Sequence, residues 1–292
     1  AGLQYMANLF DGLLQRKGPD GTLAPALAER WERLDELSWK FYLRKNVKFH
    51  NGNPFTAADV KFSFERLSNP DVSEFINTGK SIAAVETPDE HTVIIKTKDQ
   101  IPWFANNMHQ VFIMDKESTE SRDPGEVMVK PIGTGAYKLV EWVKEDHMTL
   151  AAFEDYYLGS PKIKKVTFRP ITNPATRTAA LLTGEVDVIQ DLAVRDADRL
   201  KANDKFNMIT RPSLLNLVLA LDYRDKSPTI DLPVNPMKDL RVREAIARAI
   251  DVDTIDRVIM NGLATPSDQY VPSSHIGYVD GLDFRQVYPF DL

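Results

Sequence analysis

The fold class of this chain is decided by residues 37–60, which read LSWKFYLRKNVKFHNGNPFTAADV. The first part of this stretch alternates between apolar and polar residues from position 37 to position 44. Its apolar members are Trp39, Phe41 and Leu43. Because successive side chains of a strand point to opposite faces, this alternation predicts a half-buried strand over Leu37–Arg44.

The second part of the stretch predicts a turn followed by a helix. Asn51-Gly52 is a turn signal, and Thr56 precedes Asp59 by three residues, as in a helix capping box. Asn69-Pro70 then predicts the end of that helix. A strand, a turn and a helix in close succession favour a mixed α/β class over an all-helical or all-strand one.

Further elements are predicted along the rest of the chain. β-branched runs and alternation predict strands over His91–Thr97, Tyr137–Val143, Leu150–Phe153, Val166–Phe168 and Glu185–Gln190. Helices are predicted from Asn173-Pro174 to Gly184 and from Asp239 to Met260. Core positions are assigned to Trp31, Trp39 and Trp142. No regular βαβ period is present, so the predicted class is α/β (mixed α+β).

Composition excludes several kinds of protein. The 292 residues are 43% hydrophobic and 27% charged, which is typical of a globular protein. With 36 Lys and Arg against 42 Asp and Glu, the net charge is −6, and no basic stripe favours a nucleic-acid partner. There is no cysteine, so the sequence contains no thiol nucleophile, disulfide or thiolate metal site.

The motifs of common enzyme sites are also missing from the sequence. The five histidines are scattered and include no HExxH, which predicts structural or surface roles and no metal site. Gly133-Thr134-Gly135 lacks the frame of a phosphate loop and predicts a turn before a strand. With no GxSxG motif either, the sequence predicts a protein that is not an enzyme and holds no cofactor.

No run approaches the roughly 18 apolar residues of a membrane span. The first residues, AGLQ, lack the basic and apolar regions of a signal peptide.

Several blocks resemble, in order, the family 5 solute-binding proteins of bacterial ABC importers, the dipeptide-, oligopeptide- and nickel-binding group. The blocks are Leu9–Leu13 (LFDGL), which resembles the family's opening helix, Ala26–Trp31 (ALAERW), Phe41–Gly52, Pro54–Val60 (PFTAADV), Pro131–Leu139 (PIGTGAYKL), Leu182–Asp187 (LTGEVD) and Asp239–Asp251. Each block is moderately specific, but the ordered set covers nearly the whole chain.

The resemblance implies a periplasmic-binding-protein type II-like fold of two lobes with an extra inserted subdomain. Residues 1–10 and 134–235 are then expected to form the first lobe, with residues 11–133 as the inserted subdomain. Residues 236–292 are expected to begin a second lobe that is truncated in this chain. The apolar stripe of the helix predicted from Asp239 to Met260 is accordingly expected to be incompletely buried.

The same resemblance implies a receptor that closes on a peptide-like small solute and delivers it to ABC permease subunits at the membrane. It implies a monomer located in the periplasm or at the cell surface. The residues expected to line the ligand cleft are Gly2, Leu3, Gln4, Phe75, Ser213, Leu214, Leu215 and Asn216.

Three alternatives stay open at the level of sequence. One is a nickel or other small-solute receptor of the same fold, although the dispersed histidines form no evident cluster. Another is a sensory or regulatory ligand-binding module. The third is an enzyme, for example a hydrolase that uses paired carboxylates.

Overall fold

The computed structural model of the chain describes residues 2–18, 21–69, 76–210, 216–226, 233–273 and 277–291. The chain divides into two compact units, unit 1 (residues 1–170) and unit 2 (residues 171–292). Helices and antiparallel sheets occur together in the described residues, which confirms the mixed α/β class.

Within the described residues, the strands all belong to unit 1. They are β1 (Leu14–Lys17), β2 (Thr22–Pro25), β3 (Ala28–Arg33), β4 (Ser38–Leu43), β5 (Ile82–Asp89), β6 (Thr92–Thr97), β7 (Tyr137–Val143), β8 (His147–Ala152) and β9 (Lys165–Phe168). Its helices are α1 (Gly2–Leu9), α2 (Ala57–Leu67), α3 (Ile76–Ser81), α4 (Lys116–Glu120) and α5 (Pro124–Val129), with a 3-10 turn at Phe104–Asn107.

The strands form a hairpin and two sheets, all with antiparallel neighbours. The hairpin pairs β1 with β2, the four-stranded sheet has the order β3-β4-β6-β5, and the three-stranded sheet has the order β7-β8-β9. The strands predicted within residues 37–44, 91–97, 137–143, 150–153 and 166–168 are confirmed.

The four-stranded sheet supplies the larger hydrophobic core of unit 1, here called cluster A. Along β4, Trp39, Phe41 and Leu43 are buried, and Phe41 stands opposite Val93 of β6 in the register. The buried face of α2 adds Phe64 to the same cluster. Burial of the apolar side of the predicted strand therefore determines its register, because a one-residue slip would turn that side to water.

The start of α2 follows the predicted capping pattern. The Thr56 backbone N–H donates to Asp59 Oδ2 at 2.8 Å, and the Thr56 hydroxyl donates to the same oxygen at 3.0 Å. Asp59 Oδ1 accepts from the backbone N–H of Lys116 at 3.0 Å, so the capping carboxylate also fixes the start of α4. Burial raises the pKa of Asp59, against the opposing effect of these hydrogen bonds.

A smaller core, here called cluster B, lies between α1 and the three-stranded sheet. It contains Leu9, Phe10 and Leu150. The resemblance placed the opening helix over residues 9–13, and this is wrong, because α1 ends at Leu9 and β1 begins at Leu14. The chain leaves the helix where Gly12 passes so close to Met108 that a Cβ would lie 2.3 Å from the Met108 carbonyl oxygen.

Unit 2 contains α6 (Pro174–Thr183), α7 (Ala197–Lys201), α8 (Leu240–Arg248), α9 (Val252–Thr254) with a π-helical turn at Ile255–Ile259, and α10 (Phe284–Val287). It also has 3-10 turns at Val194–Asp196 and Pro236–Lys238. The predicted α6 is confirmed, since Asn173 Oδ1 accepts from the Thr176 N–H at 3.1 Å and Gly184 ends the helix with φ of 76°.

The strand predicted over Glu185–Gln190 is wrong. These residues are irregular, and the Glu185 N–H donates to the Ala180 carbonyl at 2.9 Å, extending the turn that closes α6. An alternating pattern becomes a strand only beside a neighbouring strand, and the described residues of unit 2 contain none.

The single helix predicted from Asp239 to Met260 is also wrong, because it is broken after Arg248. Asp251 begins a new helix there by accepting from the Thr254 N–H at 2.9 Å. A short polar side chain competes well for such amides and so interrupts the apolar period. The expected incomplete burial is confirmed, with Val258 66% and Ile259 65% exposed.

Trp142 does not lie in a core and is 45% exposed. The pairing of β7 with β8 shifts register between Leu139 and Glu141. Tyr137 and Leu139 pack on cluster B before this irregularity, and the residues after it turn to solvent. Among the described residues, none of the helices combines the length and the apolar character needed to span a bilayer.

Candidate functional site

The first three residues expected to line a cleft, Gly2, Leu3 and Gln4, share the first turn of α1. Just after them, the Tyr5 ring packs edge-on against Phe168 with the ring centroids 4.9 Å apart. At its other end Leu9 is buried in cluster B. α1 is therefore a short helix packed on a sheet, and its first turn carries Gly2, Leu3 and Gln4.

The remaining expected residues belong to other parts of the chain. Phe75, Ser213, Leu214 and Leu215 lie outside the described residues. Asn216 is described, and its side-chain Nδ2 donates to the Tyr270 carbonyl at 2.6 Å. The structure thus brings Gly2, Leu3 and Gln4 together in unit 1 and places Asn216 in unit 2.

Unit 2 contains an open cavity of about 520 Å³. It is lined by Lys201, Phe206, Asn207, Met208, Thr210 and Leu263. Lys201 brings a positive charge, Asn207 and Thr210 bring hydrogen-bonding groups, and the other three side chains are apolar. This mixture of charge, hydrogen-bonding groups and apolar surface lies in an open depression of unit 2.

Unit 1 contains a polar cluster around Asp11, just after α1. The Thr134 hydroxyl donates to Asp11 Oδ2 at 3.2 Å, and the Tyr156 hydroxyl donates to Asp11 Oδ1 at 3.4 Å. Burial raises the pKa of Asp11 to about 6, although the hydroxyl donors oppose that shift. Burial and the nearby Asp11 carboxylate also raise the pKa of both Tyr156 and Tyr157.

His50 lies beside this cluster, and both of its ring nitrogens are hydrogen-bonded. Nδ1 accepts from the Gly133 N–H at 3.3 Å, and Nε2 lies 2.9 Å from the Gly135 carbonyl oxygen. Burial is the main reason that the pKa of His50 falls to about 4, and Lys138 lowers it further. The ring also packs edge-on against Phe153.

Sequence reasoning treated His50 as structural and gave Asp11 no role. No local signal in the sequence identifies them, because His50 bonds to Gly133 and Asp11 bonds to Thr134, which lie 83 and 123 positions away. Over the ranges that the structure describes, no three His, Asp or Glu side chains are grouped so as to hold a metal ion. The arrangement offers hydrogen-bonding and charged groups for holding a solute.

Comparison with known proteins matches most of the chain to one family. The family model described as "Bacterial extracellular solute-binding proteins, family 5 Middle" matches residues 22–292. The glutathione-binding protein GsiB of Pectobacterium atrosepticum is 32% identical over 259 residues, covering 87% of this chain and 49% of GsiB. The chain spans about half the length of the curated relatives it matches.

Solved structures give the same picture. The ABC transporter-associated periplasmic binding protein DppA from Helicobacter pylori, in complex with the peptide STSA, is 28% identical with a TM-score of 0.81. That likeness covers 100% of this chain and 60% of DppA. NikZ from Campylobacter jejuni, in complex with Ni(L-His), is 27% identical with a TM-score of 0.73, covering 88% of this chain and 50% of NikZ. These likenesses confirm the expected periplasmic-binding-protein type II-like class.

Proposed function

Because this chain belongs to the bacterial extracellular solute-binding proteins of family 5, we propose that it is a receptor for a peptide-like small solute, which it delivers to the permease of an ABC importer. The observation that carries the proposal is the family match over residues 22–292. A peptide is favoured as the solute because GsiB is named for glutathione and DppA was solved with a tetrapeptide.

The proposed binding residues are Gly2, Leu3, Gln4, Phe75, Ser213, Leu214, Leu215 and Asn216. Together they offer main-chain amides, two side-chain amides and apolar surface, which suits a peptide backbone with mixed side chains.

The proposed activity is binding without a chemical step. A peptide recovered from the protein should have an unchanged mass. Cleavage of more than one equivalent of peptide by the pure protein would instead favour a hydrolase.

The direct experiment is calorimetric titration of the protein with glutathione and with a set of tri- and tetrapeptides. We expect saturable one-to-one binding of at least one of them at pH 7.5. Asn216→Ala should weaken that binding about tenfold, equivalent to about 1.4 kcal/mol, since a polar partner of the solute is lost. Asn203→Ala, a change at another asparagine of unit 2, is the matched control and should bind like the wild type.

Absence of saturable binding by every peptide would contradict the proposal. Binding of a nickel–histidine complex in place of peptides would instead favour the metal-complex branch seen in NikZ.

The proposed partners are permease subunits, and the proposed location is the periplasm or cell surface. In cells, deletion of the gene should abolish uptake of the bound peptide, and restoring the gene should recover it. Normal uptake combined with altered gene expression in the deletion strain would favour the sensory alternative.

A further inference from the structure

Two of the segments of unit 1 that pass between cluster A and cluster B lie side by side. The first is residues 9–12, which leave α1, and the second is residues 131–135, which enter β7. The Gly135 N–H donates to the Leu9 carbonyl at 3.0 Å, so the two segments are joined directly through their backbones. These two segments are here called the double crossing.

The double crossing is packed too tightly to contain side chains at its glycines. A Cβ on Gly133 would lie 2.1 Å from the Leu9 carbonyl oxygen, and a Cβ on Gly135 would lie 2.5 Å from the Asn8 carbonyl oxygen. Real Cβ atoms essentially never approach so closely. The end of α1 therefore rests on the backbone of residues 133–135 with nothing between them.

His50 bonds to this crossing three times from the side of cluster A. Its backbone N–H donates to the Gly133 carbonyl at 2.9 Å, its Nδ1 accepts from the Gly133 N–H at 3.3 Å, and its Nε2 is 2.9 Å from the Gly135 carbonyl oxygen. Because Nδ1 must accept and Nε2 must donate, the ring is neutral with its hydrogen on Nε2. The neighbouring Phe49 is buried in cluster A, which anchors the histidine.

We propose that His50 is a positioning residue for solute binding: its neutral imidazole holds the double crossing in one geometry and thereby orients α1. This inference rests on the proposed function, in which the first turn of α1 lines the cleft. The eight residues of α1 make a lever of about 12 Å, so a tilt of about 10° at Leu9 would move Gly2 by about 2 Å. Binding groups need to be held within about 0.5 Å, so such a tilt would weaken binding.

The hydrogen bonding of His50 to the double crossing should depend on pH. A proton on Nδ1 would remove the acceptor for the Gly133 N–H and break one of the three bonds. Lys138 on β7 is the charged group that acts on the ring. The titratable groups of the adjoining segments are Asp11, which accepts from Thr134 and Tyr156, and the Lys48–Asp155 ion pair. Burial and Lys138 both oppose protonation of His50, so the ring stays neutral at neutral pH.

The main experiment compares peptide affinity for the wild type, His50→Ala and His50→Gln. At pH 7.5 we expect His50→Ala to bind at least tenfold more weakly. His50→Gln should bind within about threefold of the wild type, because its amide can donate to Gly135 and accept from Gly133. Between pH 7.5 and pH 4 the wild type should lose affinity, while His50→Gln, which cannot titrate, should lose much less.

Wild-type affinity in His50→Ala, or identical pH profiles for the wild type and His50→Gln, would overturn the inference. Lys138→Gln provides a second variant that leaves the three bonds in place, since Lys138 takes part in none of them. This variant should lose its peptide affinity at a higher pH than the wild type, because a positive charge near the ring is removed. Loss of affinity at an unchanged pH would also overturn the inference.

A readout without solute separates this inference from the proposed function. In nitrogen NMR the His50 ring should show the Nε2–H tautomer, and the Gly133 amide should exchange faster in His50→Ala than in the wild type. A wild type that binds no peptide but shows these signals contradicts the proposed function and, with it, the role of His50 in binding. A wild type that binds peptide but shows the Nδ1–H tautomer contradicts this inference alone.

Discussion

Unit 1 and unit 2 have similar amphipathic sequence patterns, but their apolar side chains are buried to very different extents. In unit 1, cluster A encloses whole aromatic side chains such as Phe41 and Phe64. In the described part of unit 2 the buried hydrophobic residues are Ala180, Ala197 and Leu200, whereas Leu217 is 100% exposed. An amphipathic pattern therefore predicts a local element, and only a neighbouring surface converts that pattern into burial. Exposed apolar surface of this kind is typical of interaction sites.

Deleting one large side chain from each unit should change the stability of the protein by very different amounts. Phe41→Ala should lower the free energy of unfolding by about 3–5 kcal/mol, because Phe41 is fully buried and its loss leaves a cavity. Leu217→Ala should change it by less than about 0.5 kcal/mol, since that side chain is in water. Urea denaturation followed by tryptophan fluorescence and circular dichroism measures both, and equal effects would show that the units do not differ as described.

Two glycines, one in each unit, test how closely the backbone is packed. Gly133→Ala should destabilise the protein by about 2–3 kcal/mol, because the new Cβ would collide with the Leu9 carbonyl. Gly184→Ala in unit 2 should cost about 1–2 kcal/mol, since that position has open space around it but a φ of 76°. Thermal denaturation of the two variants should place Gly133→Ala clearly lower, and the reverse order would contradict the tight double crossing.

Helix caps provide a control, because their effect is local. Asp123 in unit 1 accepts from the Gly125 N–H at 2.8 Å, and Asn173 in unit 2 accepts from the Thr176 N–H at 3.1 Å. Each precedes a proline at the first helical position. Asp123→Ala and Asn173→Ala should each cost about 1 kcal/mol in urea denaturation, whichever unit contains the helix. A cost confined to unit 1 would show that unit 2 lacks stable helices.

The smallest expected effect is the net change in stability that Asp11 and His50 of unit 1 together produce as the pH falls. The pKa of Asp11 is raised to about 6, so its protonation adds stability as the pH falls through 6 toward 4. The pKa of His50 is lowered to about 4 from 6.5, so stability is lost as the pH falls from 6.5 toward 4. The two contributions oppose each other, and we expect their sum to stay within about 1 kcal/mol over this range.

Asp11→Asn removes the stability gained when Asp11 is protonated and leaves the stability lost when His50 is protonated. The variant should therefore lose stability more steeply than the wild type between pH 6.5 and pH 4, as measured by urea denaturation at several pH values. Asp204→Asn, an exposed position in unit 2, is the matched control. If Asp11→Asn lost less stability than the wild type between pH 6.5 and pH 4, the direction assigned to the Asp11 contribution would be wrong.

Much of the local structure could be predicted from the sequence, because the signals are local. The alternation of Trp39, Phe41 and Leu43, the pair Thr56 and Asp59, and Gly184 at a helix end all act within a few residues. The failures involve partners or competitors: residues 185–190 have no neighbouring strand in the described part of unit 2, and Asp251 competes with the helix that its apolar neighbours favour.

The candidate site was less predictable for the same reason. His50 contacts Gly133 and Gly135, which lie 83 and 85 positions away in the chain. No periodicity links residues so far apart, and only the folded backbone brings them together. The residues proposed to bind the solute came from the family resemblance, and they are divided between the two units.

Unit 1 is preformed around cluster A, and we propose that residues 2–4 and residues 213–216 contact a peptide-like solute. Amide hydrogen exchange with and without saturating peptide, analysed by mass spectrometry, tests it most directly. We expect slow exchange in β4 and β6 under both conditions, together with new protection at residues 2–4 and at residues 213–216 when the peptide is bound. Fast exchange in β4 and β6, or protection that appears only outside those two segments, would contradict it.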